Sequence, residues 1–233
     1  MQILRFPRVL RPQNSVGDPL LVIMSDSSMR AFGACAYIHW KLSDGSYFAR
    51  LIAAKSRVWP IEPNDFISLC RGELQGVVLG KRLAVTIMTE SRFKFVKVLF
   101  IMDSEIVRAQ ISKDSHSFDT FVANRVGEIR SKFSPDQFYT VSGEENVSAD
   151  LITRGTVDPS KLDITSDWQN GPSMLYKDFN DWPISQKYNS SEPLPESRDF
   201  TFKQKTMSFK SQSLVKICSQ NVNPMAIVRG LKR

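Results

Sequence analysis

Two short apolar runs, each ending directly at an aspartate, constrain the fold of this chain more than any other feature. LLVIMSD ends at Asp26, and RFKFVKVLFIMD ends at Asp103. Runs of this length, bounded by turn formers, predict buried strands. A charge at the end of a buried strand is unfavourable unless something compensates it. If the two strands are parallel neighbours, both aspartates lie at the same edge of one sheet.

The segments around these runs predict an α/β fold. AFGACAYIHWKL and SYFARLIAAKSRV follow the first run and form an antiparallel meander with it, through a turn at Asp44-Gly45. Helical spacing extends over 68–85 and over 120–133, where apolar residues recur at i, i+4, i+7 and i+11. QFYTVS predicts a fifth strand, and SEIVRAQIS and SADLITRG predict short helices. The order βββαβααβα describes a five-stranded mixed sheet with helices packed against it.

The first predicted helix carries two glycines near its acidic residue. Gly76 and Gly80 follow Glu73 by three and seven residues, on nearly the same stripe. Each glycine costs a helix about 1 kcal/mol relative to alanine. We therefore expect another backbone to approach this stripe closely, either from the sheet or from a ligand.

The length of the chain allows one domain, and its net charge is positive. The chain has 233 residues, 42% of them apolar, and a net charge of +7. Residues 200–233 carry basic side chains and no acidic one. A basic balance suits a polyanionic partner such as nucleic acid. The three cysteines, at 35, 70 and 218, lie far apart and are interpreted as reduced thiols of an intracellular protein.

Four acidic residues lie at positions where they can form one site. Asp26 and Asp103 end strands, Glu73 lies on the first helix, and Asp150 lies on the last short helix. Clustered carboxylates repel one another unless cations neutralise them. Oxygen ligands of this kind suit Mg²⁺ or Mn²⁺. Two such ions could together catalyse phosphodiester hydrolysis.

Each acid also has a structural interpretation. Asp103 precedes a helix and could cap it, and Asp26 could belong to a turn. Glu73 and Asp150 could simply face water. The four together, in this element order, favour a shared site.

The ordered series of motifs resembles the ribonuclease H region of Bel/Pao-type LTR retrotransposon polyproteins. The matching segments are MSDSSMRAFGACAY, LIAAKSRVWP, RGEL, MDSEIV, FVANRVGEI, EENVSADLITRG and WQNGP…WP. The resemblance implies a ribonuclease H-like fold and places the family's catalytic, metal-binding acids on Asp26, Glu73, Asp103 and Asp150. It implies Mg²⁺- or Mn²⁺-dependent hydrolysis, with two ions, of the RNA strand of an RNA–DNA hybrid.

Two features depart from the pattern of many ribonucleases H. The loop SGEENVS has no histidine, and ISKDSHSFDT leaves no room for a basic helical handle that grips the hybrid. Other basic side chains are then the candidates for phosphate contacts. They are Arg71, Lys81, Arg82, Arg125 and Arg154.

Other functions were weighed against this one. A catalytically silent nucleic-acid-binding or interaction module from a decayed element keeps the fold without the activity. A DNA-cleaving relative would use similar carboxylates. An aspartic protease would need Asp-Thr/Ser-Gly, which the chain lacks.

The resemblance also predicts a domain scheme. Residues 1–16 resemble the connection that follows a reverse transcriptase region, and 17–156 form the ribonuclease H-like domain. Residues 157–233 are an irregular extension, with a linker or disorder over 188–210 and a basic tail leading toward an integrase region. Reverse transcriptase and integrase regions of a parent polyprotein are the expected partners, in a cytoplasmic particle or the nucleus. The sequence shows no signal peptide and no membrane-spanning run.

Overall fold

The fold is seen in a computed structural model that describes residues 9–59, 68–155, 158–188 and 190–198. Five strands form one sheet: β1 Ser15–Ser27, β2 Ala31–Leu42, β3 Tyr47–Val58, β4 Val98–Met102 and β5 Phe138–Thr140. The helices are α1 Leu69–Glu90, α2 Glu105–Ser112, α3 Thr120–Arg130, α4 Val147–Arg154 and α5 Asp167–Asn170.

The strand order defines the fold class. The sheet runs β3-β2-β1-β4-β5. The first three strands pair antiparallel, whereas β4 pairs parallel with both β1 and β5. This is the mixed sheet of a ribonuclease H-like fold, and the predicted fold class is confirmed.

Two apolar layers cover the two faces of the sheet, because successive side chains of a strand point to opposite faces. Leu21 and Ile23 of β1 pack in one layer with residues of α1, α2 and α3. Val22 and Met24 pack in the other, with Ala149 of α4 and with residues from beyond α4. The sheet is therefore buried on both sides.

The glycines of α1 let that helix lie directly on the sheet. A Cβ atom on Gly76 would stand 2.9 Å from the backbone oxygen of Asp26, and one on Gly80 would stand 2.8 Å from Ile23 Cγ2. The sheet, rather than a ligand, is thus the close neighbour of this stripe. The predicted close approach is confirmed, and it fixes the height of α1 above β1.

The fourth strand and the first helix differ in extent from their predictions. β4 begins at Val98 instead of 92, and α1 continues to Glu90 instead of 85. Pairing of β4 with β1 starts at Leu21. Pro19 has no N–H to donate, so the ladder cannot extend past it.

The segment after α4 is irregular, as predicted, but it packs on the sheet. Met174, Leu175 and Trp182 are buried in the second apolar layer. The Tyr37 hydroxyl donates to the backbone oxygen of Trp168 at 2.9 Å. Short 3₁₀ turns and the one-turn helix α5 supply these contacts, and such short elements leave no long periodic pattern in a sequence.

The prediction of a linker over 188–210 is wrong for residues 190–198. Leu194 is 1% exposed and belongs to the first apolar layer. Gln110 Nε2 donates to the backbone oxygen of Pro195 at 3.0 Å, and Ser197 forms a bridge with Phe118. One buried leucine and a few backbone contacts order this stretch despite its polar composition.

Parts of the predicted domain scheme lie outside the described residues. These are residues 1–8 of the connection segment, the basic tail over 200–233, and most of the predicted linker. Within the described ranges, no helix combines the length and hydropathy that crossing a bilayer requires.

Replacing Gly76 by Ala tests the contact between α1 and β1. Alanine favours an isolated helix by about 1 kcal/mol, but the new methyl group would collide with the Asp26 carbonyl. We expect a net loss of roughly 1–3 kcal/mol in the free energy of unfolding, measured by urea denaturation.

Gly127→Ala in α3 is the matched control. The nearest atom to its new Cβ would lie 3.9 Å away, an ordinary contact distance. This variant should gain stability of up to about 1 kcal/mol. Equal effects of the two substitutions would contradict the role assigned to Gly76.

Candidate active site

The parallel pairing of β1 and β4 brings Asp26 and Asp103 to one edge of the sheet. Met24 is level with Ile101 in the ladder. Continuing that register by two residues makes Asp26 level with Asp103. Both side chains therefore lie at the carboxyl ends of neighbouring strands, as the sequence predicted.

Helix α1 adds Glu73 to this pair. One carboxylate oxygen from each of Asp26, Glu73 and Asp103 lies within 4.8 Å of the others. The Gly76 contact with the Asp26 carbonyl sets this spacing, because Gly76 is one helical turn after Glu73. Elements far apart in sequence thus converge on one cluster of three acids.

The cluster is buried and incompletely hydrogen-bonded. Asp26 is 2% exposed and Glu73 is 6% exposed. Glu73 Oε2 and Asp103 Oδ1 are buried atoms with no hydrogen-bond partner in the described part of the chain. Buried polar atoms normally have partners. Oxygen atoms left in this state, and pointing together, fit a hard divalent cation.

Burial and mutual repulsion raise the pKa of all three carboxyls. For Glu73, burial is the largest cause, followed by the charges of Asp103 and Asp26, and its pKa rises to about 9. The pKa values of Asp26 and Asp103 are also raised, chiefly by burial. Without a cation, Glu73 is therefore protonated at neutral pH. A bound cation would favour the ionised form.

Asp103 is free of the capping role that its position allowed. Ser104 is the N-cap of α2, and its hydroxyl accepts a hydrogen bond from Val107 N at 3.3 Å. Ser104, and not Asp103, therefore caps α2. The Asp103 carboxylate remains in the cluster.

Thr153 and Asn146 are site residues that the sequence reasoning missed. The Thr153 hydroxyl donates a short hydrogen bond to Asp26 Oδ2. Asn146 Nδ2 donates to the Ser25 backbone oxygen at 3.1 Å, which ties the start of α4 to the end of β1. The one available signal for Thr153 was its place three residues after Asp150, on the same helical face.

Asp150 lies beside the cluster but outside it. Its carboxylate pairs with Arg154 Nε at 2.7 Å, one helical turn along α4, and its side chain is 40% exposed. Asp150 nevertheless raises the pKa of Asp26 and of Asp103 through its charge. Three of the four predicted acids are thus brought together, and the fourth stays within electrostatic reach.

Four of the five predicted phosphate-binding side chains form ion pairs within the chain. The pairs are Arg71–Glu196, Lys81–Glu128, Arg82–Glu128 and Arg154–Asp150. The fifth, Arg125, stacks on Phe121, with its Cζ 3.5 Å from the ring centroid. Exposed ion pairs are individually weak, so a phosphate could replace these carboxylates.

The loop that lacks the family's histidine adjoins the cluster. A Cβ atom on Gly143 would stand 3.9 Å from Asp103 Oδ2. Glu144 and Glu145 follow in the same 3₁₀ turn. The loop is therefore placed beside the acids even though its residue types differ from the pattern.

Strand order, with three acids gathered at the strand ends, is that of a ribonuclease H-like fold. The family model described as a Pao retrotransposon-like RNaseH-like domain matches residues 1–104. The resemblance predicted from the sequence is confirmed. The matched range includes Asp26, Glu73 and Asp103, and Asp150 lies beyond it.

Solved ribonuclease H structures are also similar to this chain. RNase H1 from the halophilic archaeon Halobacterium salinarum is 14% identical, with a TM-score of 0.36, over 59% of this chain and 96% of its own. The N-terminal RNase H domain of a Mycobacterium tuberculosis protein is 17% identical, with a TM-score of 0.38, over 59% and 92%. LC11-RNase H1, isolated from compost and solved with an RNA/DNA hybrid, is 14% identical, with a TM-score of 0.39, over 60% and 98%. The search of curated proteins found no match.

Replacing Glu73 by Gln should stabilise the metal-free protein at alkaline pH. The pKa of Glu73 is about 9 in the folded state against a usual 4.5, so the folded state binds this proton more tightly than the unfolded state. That contribution to stability is complete below about pH 4.5 and is lost as pH rises toward 9. Gln cannot ionise, so in EDTA at pH 9 the variant should exceed the parent by roughly 1–3 kcal/mol, measured by urea denaturation.

The control for this prediction is Glu90→Gln, an exposed glutamate at the end of the same helix. It should show no such pH dependence. A constant difference between Glu73→Gln and the parent from pH 5 to pH 9 would disprove the assigned ionisation. Added Mg²⁺ should remove the advantage of Glu73→Gln, because the parent carboxylate then has a cation partner.

Proposed function

We propose that this chain is a ribonuclease H that hydrolyses the RNA strand of RNA–DNA hybrids and requires Mg²⁺ or Mn²⁺. The observation that carries the proposal is the convergence of Asp26, Glu73 and Asp103 within 4.8 Å at the carboxyl ends of parallel strands. The buried oxygens of Glu73 and Asp103 that lack a hydrogen-bond partner among the described residues support cation binding. A set of this kind has no evident structural purpose, because removing the charges would relieve repulsion.

The chain's own residues prepare this cluster for cations. Thr153 orients the Asp26 carboxylate through its hydroxyl, and Ser104 caps α2 in place of Asp103. Glu73 gives up its proton when a cation binds, so binding is coupled to proton release. When bound, divalent cations act as Lewis acids that activate water and stabilise charge on a phosphodiester.

A second cation would draw on Asp150. Three carboxylates form the cluster, and the fourth acid is paired with Arg154. We propose that Asp150 leaves Arg154 to bind a cation together with Asp26 or Asp103, whose pKa values already respond to its charge. Arg154 is then free to contact a phosphate of the substrate.

The family match supports a proposal about the biological setting. We propose that the activity removes RNA during reverse transcription by a Bel/Pao retrotransposon, within an intracellular particle or the nucleus. The partners would be the reverse transcriptase and integrase regions of the parent polyprotein, on either side of the domain predicted over 17–156. The RNA–DNA hybrid is the substrate.

A silent binding module is the second candidate. The observation that favours it is the pairing of Arg71, Lys81 and Arg82 with carboxylates inside the chain. That pairing leaves fewer free cations for gripping a hybrid. Such a module would bind nucleic acid only weakly, or would act as an interaction module, and would not cut the hybrid.

A cleavage assay with a labelled RNA–DNA hybrid distinguishes the two candidates. The chain should cut the RNA strand in Mg²⁺ and not in EDTA. Asp103→Asn should lower the rate by about 100-fold or more, which corresponds to roughly 2.7 kcal/mol of transition-state stabilisation. Glu90→Gln, matched in chemistry but remote from the cluster, should retain the parent's rate.

Hybrid binding without cleavage by the parent chain would instead support the silent module. Cleavage that survives in Asp103→Asn would remove the cluster from the mechanism. The same assay with double-stranded DNA tests the DNA-cleaving alternative.

Arg154→Ala tests whether the ion pair withholds Asp150 from cations. Without Arg154, the Asp150 carboxylate is free, so the Mg²⁺ concentration for half-maximal cleavage should fall about three- to tenfold. The same variant should raise KM for the hybrid if Arg154 contacts a phosphate. Mg²⁺ titrations at saturating hybrid, with Asp150→Asn as the companion variant, separate the two effects. An unchanged Mg²⁺ requirement would show that the pair does not compete with cations.

A further inference from the structure

Two guanidinium groups share one aromatic ring on the surface between α1 and α3. The Cζ atoms of Arg71 and Arg125 lie 4.5 Å and 3.5 Å from the centroid of Phe121. Each contact is favourable on its own, but the two cations repel each other. Burial is the largest cause that lowers the pKa of Arg125, and the charge of Arg71 is the next. Such a pair needs an anion nearby.

The anion in this structure is the side chain of Glu196. Its carboxylate accepts two hydrogen bonds from Arg71, from Nε at 2.7 Å and from Nη2 at 2.9 Å. Paired bonds from an arginine fork are the geometry by which arginine also recognises phosphate. The carboxylate therefore occupies a position that a phosphate group could take.

The chain holds Glu196 there with some strain. Leu194 is buried in the first apolar layer, and the Glu196 carbonyl accepts a hydrogen bond from Asp119 N at 2.8 Å. Glu196 has φ of +58°, and among the described residues no other non-glycine has a positive φ. Left-handed backbone is unfavourable for glutamate. The segment 190–198 thus presents this carboxylate to Arg71 from a constrained turn.

The space beside the pair suits a polar ligand. Arg125 lines a cleft of about 310 Å³ between α1 and α3, with Gln75, Asn124 and Arg82, and also with the carboxylate of Glu128 and the apolar side chain of Val78. Arg125 Nε is buried and has no hydrogen-bond partner among the residues that the structure describes. The amide and guanidinium groups of this cleft are donors for a phosphate, and the carboxylate beside them is already paired with Arg82.

This surface belongs to the same helix start as the carboxylate cluster. Arg71 precedes Glu73 by two residues in α1. The pKa of Cys70 is raised to about 11, chiefly by burial and then by the charges of Glu196 and Glu73. Both carboxylates therefore lie within electrostatic reach of one thiol.

We propose that Arg71 and Arg125 bind a backbone phosphate of the nucleic-acid substrate, and that Glu196 occupies this phosphate site in the free protein. The inference rests on the proposed function for the identity of the substrate. Binding then requires the phosphate to displace Glu196 from Arg71. The segment 190–198 acts as a built-in competitor that weakens the grip of the free chain.

Removing the competing charge should tighten binding. The full chain carrying Asp103→Asn, which should cut the probe far more slowly than the parent, is titrated into a fluorescein-labelled RNA–DNA hybrid and followed by anisotropy. Adding Glu196→Gln should lower the Kd about fivefold at 50 mM salt. The plot of log K against log salt should steepen by about 0.9, the value for one further phosphate contact. Adding Arg71→Ala should abolish both changes.

Two companion variants separate the site from general charge and from misfolding. Glu192→Gln removes an exposed carboxylate from the same segment and should change Kd by less than twofold. Glu196→Asp keeps the charge but shortens its reach, so its Kd should fall between those of the parent and Glu196→Gln. Thermal unfolding of each variant verifies that the fold is retained.

The outcomes are decisive in either direction. Equal tightening by Glu192→Gln and Glu196→Gln, or tightening that survives Arg71→Ala, overturns the phosphate site. A lower Tm for Glu196→Gln without tighter binding makes Glu196 a structural clamp only, which also overturns it. Tightening by Glu196→Gln, with no Mg²⁺-dependent cleavage by the parent, would keep the phosphate site and discard the ribonuclease. Mg²⁺-dependent cleavage by the parent, without tighter hybrid binding by Glu196→Gln, would keep the ribonuclease and discard the phosphate site.

Discussion

The mutual repulsion of three clustered carboxylates, two of them buried and one partly buried, is the constraint on which the rest of this structure depends. Asp26, Glu73 and Asp103 lose hydration at one sheet edge, and only proton binding or a cation relieves the cost. The protein holds them together through rigid elements: a parallel strand pair and a helix seated on the sheet by its glycines. The apolar layers on both faces supply the stability that such an arrangement requires. At this edge of the sheet, the acids that form the candidate site therefore lower the stability of the fold.

Much of the fold, and the convergence of three acids at one edge of the sheet, could be predicted from local sequence patterns. The apolar runs that end at Asp26 and Asp103 mark strand ends, and parallel neighbours place those ends together. The resemblance to a family then joined Glu73 to them. These predictions succeeded because they depend on periodicity and on strand order, which the residue patterns of short segments indicate.

Other features could not be predicted because they depend on contacts between distant residues. The hydroxyl of Thr153 reaches Asp26 across 127 positions, and Arg71 meets Glu196 across 125. No local pattern records such contacts. The segment 190–198 is polar and was interpreted as a linker, yet the single buried side chain of Leu194 is enough to order it. Asp150 has the expected residue type. Whether it pairs with Arg154 or joins the other acids depends on side-chain contacts that the sequence does not reveal.

The packing of residues 158–188 on the second face of the sheet changes what counts as the folding unit. The family match ends at residue 104, and the predicted domain ends at 156. A fragment cut at either point would lose Met174, Leu175 and Trp182 from the apolar layer that contains Val22, Met24 and Tyr37, and would expose part of that face. An exposed apolar face of this kind promotes aggregation. The smallest expressible piece of this protein is therefore larger than the piece by which it is recognised.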